Sequence, residues 1–441
     1  MGYIFWYDWV ISFFLIIIIL VWSFNFVKKN QQDHLIKTYF IKGISLKIFG
    51  AIAFAVYHAY VYGGGDTFGY FLTGKTVTQT FFYSPIDFLN LTFLPLEKNS
   101  ELVSSVNWLW EDAIMYTNEA NYFSARIAAV LQLFTFQAYL PTCILFSVIS
   151  YWGIWKCFKY FNELFINNEK ALAISFLYFP TIVFWGSGLS KDSITLGAVC
   201  GLIVCAFHIF ITKERIVKNI VGLIIMLSTL FILKPYVPLA FLMPLLLAIS
   251  FSYVGRKSNL AKIIIIPVVL GLLVISFFIL NSVIESNFQQ FSSETITDRI
   301  VANNQNLQVA GSAFDLGIKP ENINGMADMA PFFPKAVIAS WYRPWIWEAK
   351  NPAMLLSALE GLFLIIVSLI IVLKGIIFKP IKIILTNPIL FSLFIYAIIF
   401  SGLIGLSTSN FGTLVRYKLP CMPFLVAVLF ITLKKLKIKA V

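Results

Sequence analysis

Charge is what this chain has least of. Only 12% of its 441 residues are Asp, Glu, Lys or Arg, where soluble domains carry about 25%. Histidine is scarcer still: His34, His58 and His208 lie in separate stretches, which excludes a histidine-rich metal site. The five cysteines (Cys143, Cys157, Cys200, Cys205 and Cys421) show neither disulfide nor zinc-ligand spacing. A secretory leader is not evident either. The first apolar run is long, lacks a basic start and continues into "KKN" without a small-residue cleavage site.

What fills the chain instead is apolar. Hydrophobic residues make up 59% of it and the mean hydropathy is +0.84. Runs close to the ~20 residues needed to cross a bilayer recur throughout. The expected fold class is therefore all-α, a polytopic transmembrane helix bundle forming a single integral membrane domain over 1–441. About eleven spans can be drawn, over 4–27, 44–62, 138–158, 171–186, 193–212, 219–233, 237–254, 263–281, 353–373, 383–404 and 420–433.

The formal charge of +12 is a topology signal and does not point to nucleic acid. Basic clusters such as "KKNQQDHLIK", "KERIVK", "KGIIFKPIK" and "KKLKIK" fall on alternate sides of the span scheme. One side collects 21 Lys/Arg and 4 Asp/Glu, the other 12 and 17. Such an excess in short loops marks the cytoplasmic side. The N-terminus is then outside and the C-terminus inside.

Two outer loops are long, 63–137 and 282–352. Long connections in a compact protein are commonly functional, and the aromatic content of these two argues against disorder. Within the first, "SARIAAVLQLFTFQ" (124–137) is helical in pattern but too short to span, so it reads as an interfacial helix with Arg126 at the water level. The alternative is a fusion with 138–158 into one long tilted helix, and Pro141 favours a break.

Cations recur where outer turns meet the membrane: Arg126, Lys191 in "FWGSGLSKDS", Lys234 in "LKPYVP", Arg343 in "WYRPWIWEAKN", and Arg416 with Lys418 in "NFGTLVRYKLP". Any one of them reads as a long side chain snorkelling to the surface. As a group they read as a site for an anionic lipid headgroup, because a cation about 6 Å from a phosphate is worth roughly 3 kcal/mol at an effective dielectric near 20. Arginine adds a planar fork suited to phosphate oxygens. Asp192 stands beside a neighbouring cation and Glu348 close to Arg343, so each acid also reads as a salt-bridge partner.

The stretch "YGGGDTFGYF" supplies the carboxylate. Three glycines permit a sharp turn and leave room for a substrate. If a helix starts after Gly65, Asp66 and Tyr70 share a face, and Asp66 is placed to take a proton from an incoming hydroxyl as a general base. A loop with a solvated aspartate is the plainer reading of the same residues.

A helix surfacing into a long first outer loop that begins with an aspartate resembles the GT-C glycosyltransferases, membrane enzymes that use polyprenyl-phosphate-linked sugars. "GGGDTFGY" is similar to the glycine-aspartate-tyrosine stretch at the start of that loop, and "FWGSGLSKDS" resembles a segment of bacterial relatives and of uncharacterised polysaccharide-assembly proteins. The likeness covers roughly 44–260; "YRPWIWEAKNPAMLLSALE" and "NFGTLVRYKLP" resemble the uncharacterised group alone. The resemblance implies Asp66 as catalytic carboxylate. It implies a donor phosphate near Lys191, Lys234, Arg343 and Arg416, and Tyr70, Trp345 and Trp347 stacked on sugars, with Arg126, Asp192 and Glu348 completing the site. Many GT-C loops hold a paired acidic motif, whereas Thr67 follows Asp66 here. A divalent metal would need Glu111, Asp112 or Glu348 to fold back. The span before 44–62 is a further departure.

The expected function is thus transfer of a sugar from a lipid-linked donor to a glycan, lipid or protein acceptor at the outer face of a bacterial inner membrane. An O-antigen-type polymerase or ligase using diphosphate-linked glycans is the alternative. A transporter would place ionisable groups near mid-bilayer; the interior candidates His58, His208, Glu360 and Lys47 form no obvious relay.

Overall fold

The computed structural model describes residues 3–95, 115, 118–254, 314, 316–317, 326–376, 378–408 and 410–438. Among these residues the regular structure is helical, with no strand. Among the described residues, eight helices are long and apolar enough to cross a membrane. They are α1 (Trp6–Lys29), α2 (Ile36–Tyr62), α6 (Tyr139–Leu164), α9 (Lys191–Thr212), α10 (Ile216–Leu233), α11 (Tyr236–Tyr253), α13 (Pro352–Gly375) and α15 (Pro388–Ser407). A ninth follows if α16 (Phe411–Tyr417) and the helix from Met422 on, which meet at 71°, form one bent span. The chain is an integral, multi-pass membrane protein. The expected span 263–281 and most of the second loop lie outside the described residues.

The expected span 171–186 is not one continuous helix. Its residues form short pieces, Glu169–Ala173 (α7), a wide π-type turn over Ile174–Tyr178, and Pro180–Phe184 (α8). Pro180 lacks the N–H a continuing helix needs, so the chain restarts there. The expected interfacial helix 124–137 is also shifted: α5 runs Glu119–Gln132, and the break before α6 falls at Phe136 and Gln137, both left-handed (φ 53° and 57°). Pro141 sits in the first turn of α6, where proline is tolerated.

Two compact units emerge, Met1–Cys205 with Ile220–Pro235, and Ala206–Asn219 with Tyr236–Val441. In the first, α3 (Asp66–Tyr83) and α4 (Pro85–Phe93) pack with α5. Small residues allow the approach: a Cβ on Gly74 would stand 2.9 Å from the Ala125 carbonyl oxygen. Thr78 Oγ1 donates to Ala129 O at 3.0 Å and Gln132 Nε2 to Phe71 O at 2.9 Å.

The spans α6 and α9 approach closely at Gly153, where an added Cβ would lie 1.9 Å from the Gly197 carbonyl oxygen. Small residues that let backbones approach closely are enriched where helices pack in lipid. Because the obstacle is backbone, Gly153→Val forces the helices apart. We expect a loss of about 1–3 kcal/mol, the usual cost of overpacking, read as a lower thermal midpoint in detergent. Gly64→Ala, with nothing within 4 Å of its Cβ position, is expected to leave the midpoint close to that of the wild type.

The turn Trp185–Ser190 between α8 and α9 is buried and held from three sides. The buried Lys47 of α2 donates to Ile182 O at 3.1 Å and to Gly186 O. Ser193 Oγ and Ser150 Oγ also donate to Gly186 O, at 3.0 and 3.4 Å. This clamp sets where α9 begins, and therefore where Lys191 and Asp192 stand.

In the second unit α15 packs against α11 and against α12 (Phe333–Tyr342). Ser392 Oγ donates to Pro244 O at 2.7 Å, and Trp341 Nε1 to Ser401 Oγ at 2.8 Å. The short amphipathic α14 (Phe378–Leu385) and α17 (Met422–Ile438) pack against each other.

Candidate functional site

The glycine stretch is a cap followed by a helix start. Gly63 takes a left-handed conformation (φ 68°) to end α2, and Gly64 N donates to His58 O at 3.2 Å. Gly65, at φ 109°, occupies a region open essentially to glycine. The next residue, Asp66, is the first of α3 and is exposed. Its carboxylate sits at the positive end of the helix dipole.

The neighbours of Asp66 are pinned. Thr67 Oγ1 and the Tyr139 hydroxyl are 2.9 Å apart. The Phe68 ring stacks on Tyr3 at 3.6 Å and lies 4.9 Å from Tyr139. Tyr139 itself starts α6, whose Leu140 N donates to Asp8 Oδ1 at 3.0 Å. A rigid first turn thus presents an outward carboxylate.

One turn further, Tyr70 is buried in the core of this unit. Its ring is packed away from any sugar, which corrects the expectation that it stacks on substrate. Its hydroxyl donates to Asn121 Oδ1 at 3.4 Å, and Lys191 Nζ donates to the same oxygen at 2.8 Å. Asn121, in the first turn of α5, therefore joins the Asp66 helix to the head of α9. It gave no sequence signal, because an asparagine beside the Asn118 cap reads as ordinary helix-start composition.

Asp192 and Lys234 form a buried ion pair. Leu233, Leu189 and Ile194 beside them belong to the same apolar cluster as Tyr70. The end of α10 and the start of α9 thus converge with α3.

Arg126 is not at the water level. It is buried, with Nη1 donating to Glu119 Oε1 at 2.6 Å, Nε to Leu91 O at 3.2 Å and Nη2 to Leu94 O. It also lies 4.3 Å over the Tyr122 ring. The guanidinium finishes α4, whose last carbonyls have no intrahelical donors. Burial, partly offset by Arg126, pushes the Tyr122 phenol up to about 12, so it stays a donor to Leu91 O at 2.9 Å.

The remaining candidates lie in the second unit. Arg343 forks onto Glu348, with Nε to Oε2 at 3.2 Å and Nη2 to Oε1. Its guanidinium lies 5.1 and 5.2 Å from the Phe314 and Phe411 rings. Lys418 Nζ donates to Arg343 O at 3.4 Å. Trp345 and Trp347 stack at 5.7 Å, and Trp347 is exposed. Arg416, half-buried, lies in the last turn of α16.

Among the described residues no group of three or more His, Cys, Asp and Glu side chains is placed to hold a metal ion. Glu111 and Asp112 lie outside those residues. Comparison of the chain with protein-family models, with curated proteins and with solved structures returns no match.

Proposed function

We propose that this protein is a membrane transferase that moves a sugar from a polyprenyl-phosphate donor to an acceptor hydroxyl at the outer face of the membrane. The observation that carries the reading is the meeting of the Asp66 helix and Lys191 on Asn121. An outward carboxylate and an ammonium are thereby held in one rigid framework. Asp66 takes the acceptor proton, the oxygen attacks the anomeric carbon with inversion, and the lipid phosphate departs toward Lys191. The reaction as written uses the carboxylate and the ammonium, with no step through a metal. The eleven-span topology, N-terminus outside and C-terminus inside, belongs to this proposal, as does placement in a bacterial inner membrane. So does the likeness to GT-C enzymes.

A second reading, a polymerase or ligase taking diphosphate-linked glycans, draws on the Trp345–Trp347 stack of the second unit, in which Trp347 is exposed and offers a ring face to a longer glycan. The donor separates the two. Purified protein in lipid nanodiscs would be given either a radiolabelled polyprenyl-phosphate monosaccharide or a polyprenyl-diphosphate oligosaccharide. Transfer from the first supports the transferase; transfer from the second alone replaces it with the polymerase or ligase. Loss of one phosphate-facing cation is worth roughly 3 kcal/mol before solvent screening. Lys191→Met is therefore expected to raise the donor KM about tenfold or more, and Lys191→Arg to restore most of it. An unchanged KM removes Lys191 from the donor site.

A further inference from the structure

The two faces of α4 are both apolar. Phe88, Leu91 and Thr92 are buried, while Ile86, Leu89 and Phe93 are exposed along the opposite side. Between α4, α5 and α10 lies a partly open groove of about 320 Å³, at the lower end of ligand pockets, about 300–1,000 Å³. Its apolar walls are Phe93, Phe123, Ile127, Val130 and Ile232.

Its polar wall carries no net charge. Arg126 faces the groove, but Glu119 balances it and the carbonyls of Leu91 and Leu94 accept from its other nitrogens. A phosphate there would have to displace these partners. Thr92 also lines the groove, and its buried hydroxyl has no hydrogen-bond partner among the described residues. The chemistry is that of an oily slot with one hydroxyl.

What covers the groove follows from α10. Only 11% of its apolar window is buried within the protein, so the helix carrying Ile232 faces the bilayer. The exposed Ile86, Leu89 and Phe93 continue that lipid-facing surface onto α4. We infer that the groove seats one acyl chain of a bilayer phospholipid, which enters sideways from the membrane and wedges α4 and α5 against α10. The phospholipid headgroup stays outside, because the slot is small and neutral. This inference rests on membrane embedding and is independent of the transfer reaction.

The full-length protein purified in detergent with dioleoylphosphatidylcholine provides the test, with retained lipid counted by native mass spectrometry. The expected result is one phosphatidylcholine per wild-type chain. Val130→Phe and Ile127→Trp, which fill the slot, should each reduce occupancy at least tenfold. Ile86→Ser, outside it, should retain the lipid. Thermal unfolding identifies any variant that does not fold, and either filling variant suffices. Equal retention by a folded filled variant overturns the inference, as does no retention by the wild type. Displacement of the phosphatidylcholine by equimolar polyprenyl phosphate would assign the slot to an isoprenoid chain and overturn it too. A cross-linked dimer through Phe93→Cys would assign the surface to a second copy, with the same consequence.

Discussion

Lys234→Met is expected to destabilise the protein by about 3–5 kcal/mol, the usual penalty for removing one partner of a buried ion pair. The penalty comes from what remains. Asp192 is 2% exposed, and the side chains flanking the pair, Leu189, Ile194 and Leu233, are apolar. Without Lys234 its carboxylate keeps its desolvation cost and loses its counter-charge. The double variant Asp192→Leu/Lys234→Met should recover most of the loss, because replacing both partners by apolar groups is often neutral or stabilising. The pattern to look for is a large coupling energy across the four proteins, measured by unfolding in detergent. This result also bears on function. If Lys234→Met unfolds like the wild type but raises the donor KM, Lys234 serves the phosphate and the pair adds nothing to stability. If stability falls and the double variant keeps its donor KM, the pair is structural and Lys191 is the cation that matters.

The spans were largely legible because a long apolar run has few alternatives in a chain with 12% charge. Where the reading slipped, the cause is local. Lys37 and Lys42 depress the apolar pattern before residue 44, yet the helix already begins at Ile36 and passes through a π-type turn. The run 171–186 is apolar enough for a span, but Pro180 and the buried turn at Trp185–Ser190 divide it. Hydropathy reports burial and says nothing of continuity. The start of a helix at Asp66 was legible in the three glycines before it. The Arg343–Glu348 fork was also legible, since its partners are five residues apart. The partners of Asp192 and Arg126 were not, because they are brought together only by packing: Lys234 is 42 residues from Asp192, and Leu91 is 35 from Arg126. Tyr70 was expected to stack on substrate from the family resemblance and from the face it shares with Asp66, and α3 has almost no amphipathic pattern to mark it as buried. Its threonines sit on the buried side, where Thr78 satisfies its hydroxyl on the Gly74 and Ala129 carbonyls.

Asp66→Asn is expected to lower kcat for sugar transfer by about 10²–10⁴, the range contributed by a positioned general base. The fold should survive. Asp66 is exposed, and the turn it occupies is held by other residues, Thr67 on Tyr139 and Phe68 between Tyr3 and Tyr139. Loss of a negative charge at a helix N-terminus costs about 0.3–1 kcal/mol, so the thermal midpoint should move little while turnover collapses. That separation distinguishes a catalytic carboxylate from a helix-start aspartate, for which stability and activity would fall together and only slightly. Asp66→Glu, which keeps the base but moves it by one methylene, should retain a measurable fraction of kcat. Donor KM should stay near the wild-type value in Asp66→Asn, because the phosphate is assigned to Lys191 and not to the carboxylate. Full activity in Asp66→Asn would remove Asp66 from the mechanism and leave "GGGD" as a capped turn. A raised donor KM with unchanged kcat would instead place Asp66 in donor binding, and the proton would have to leave by another route.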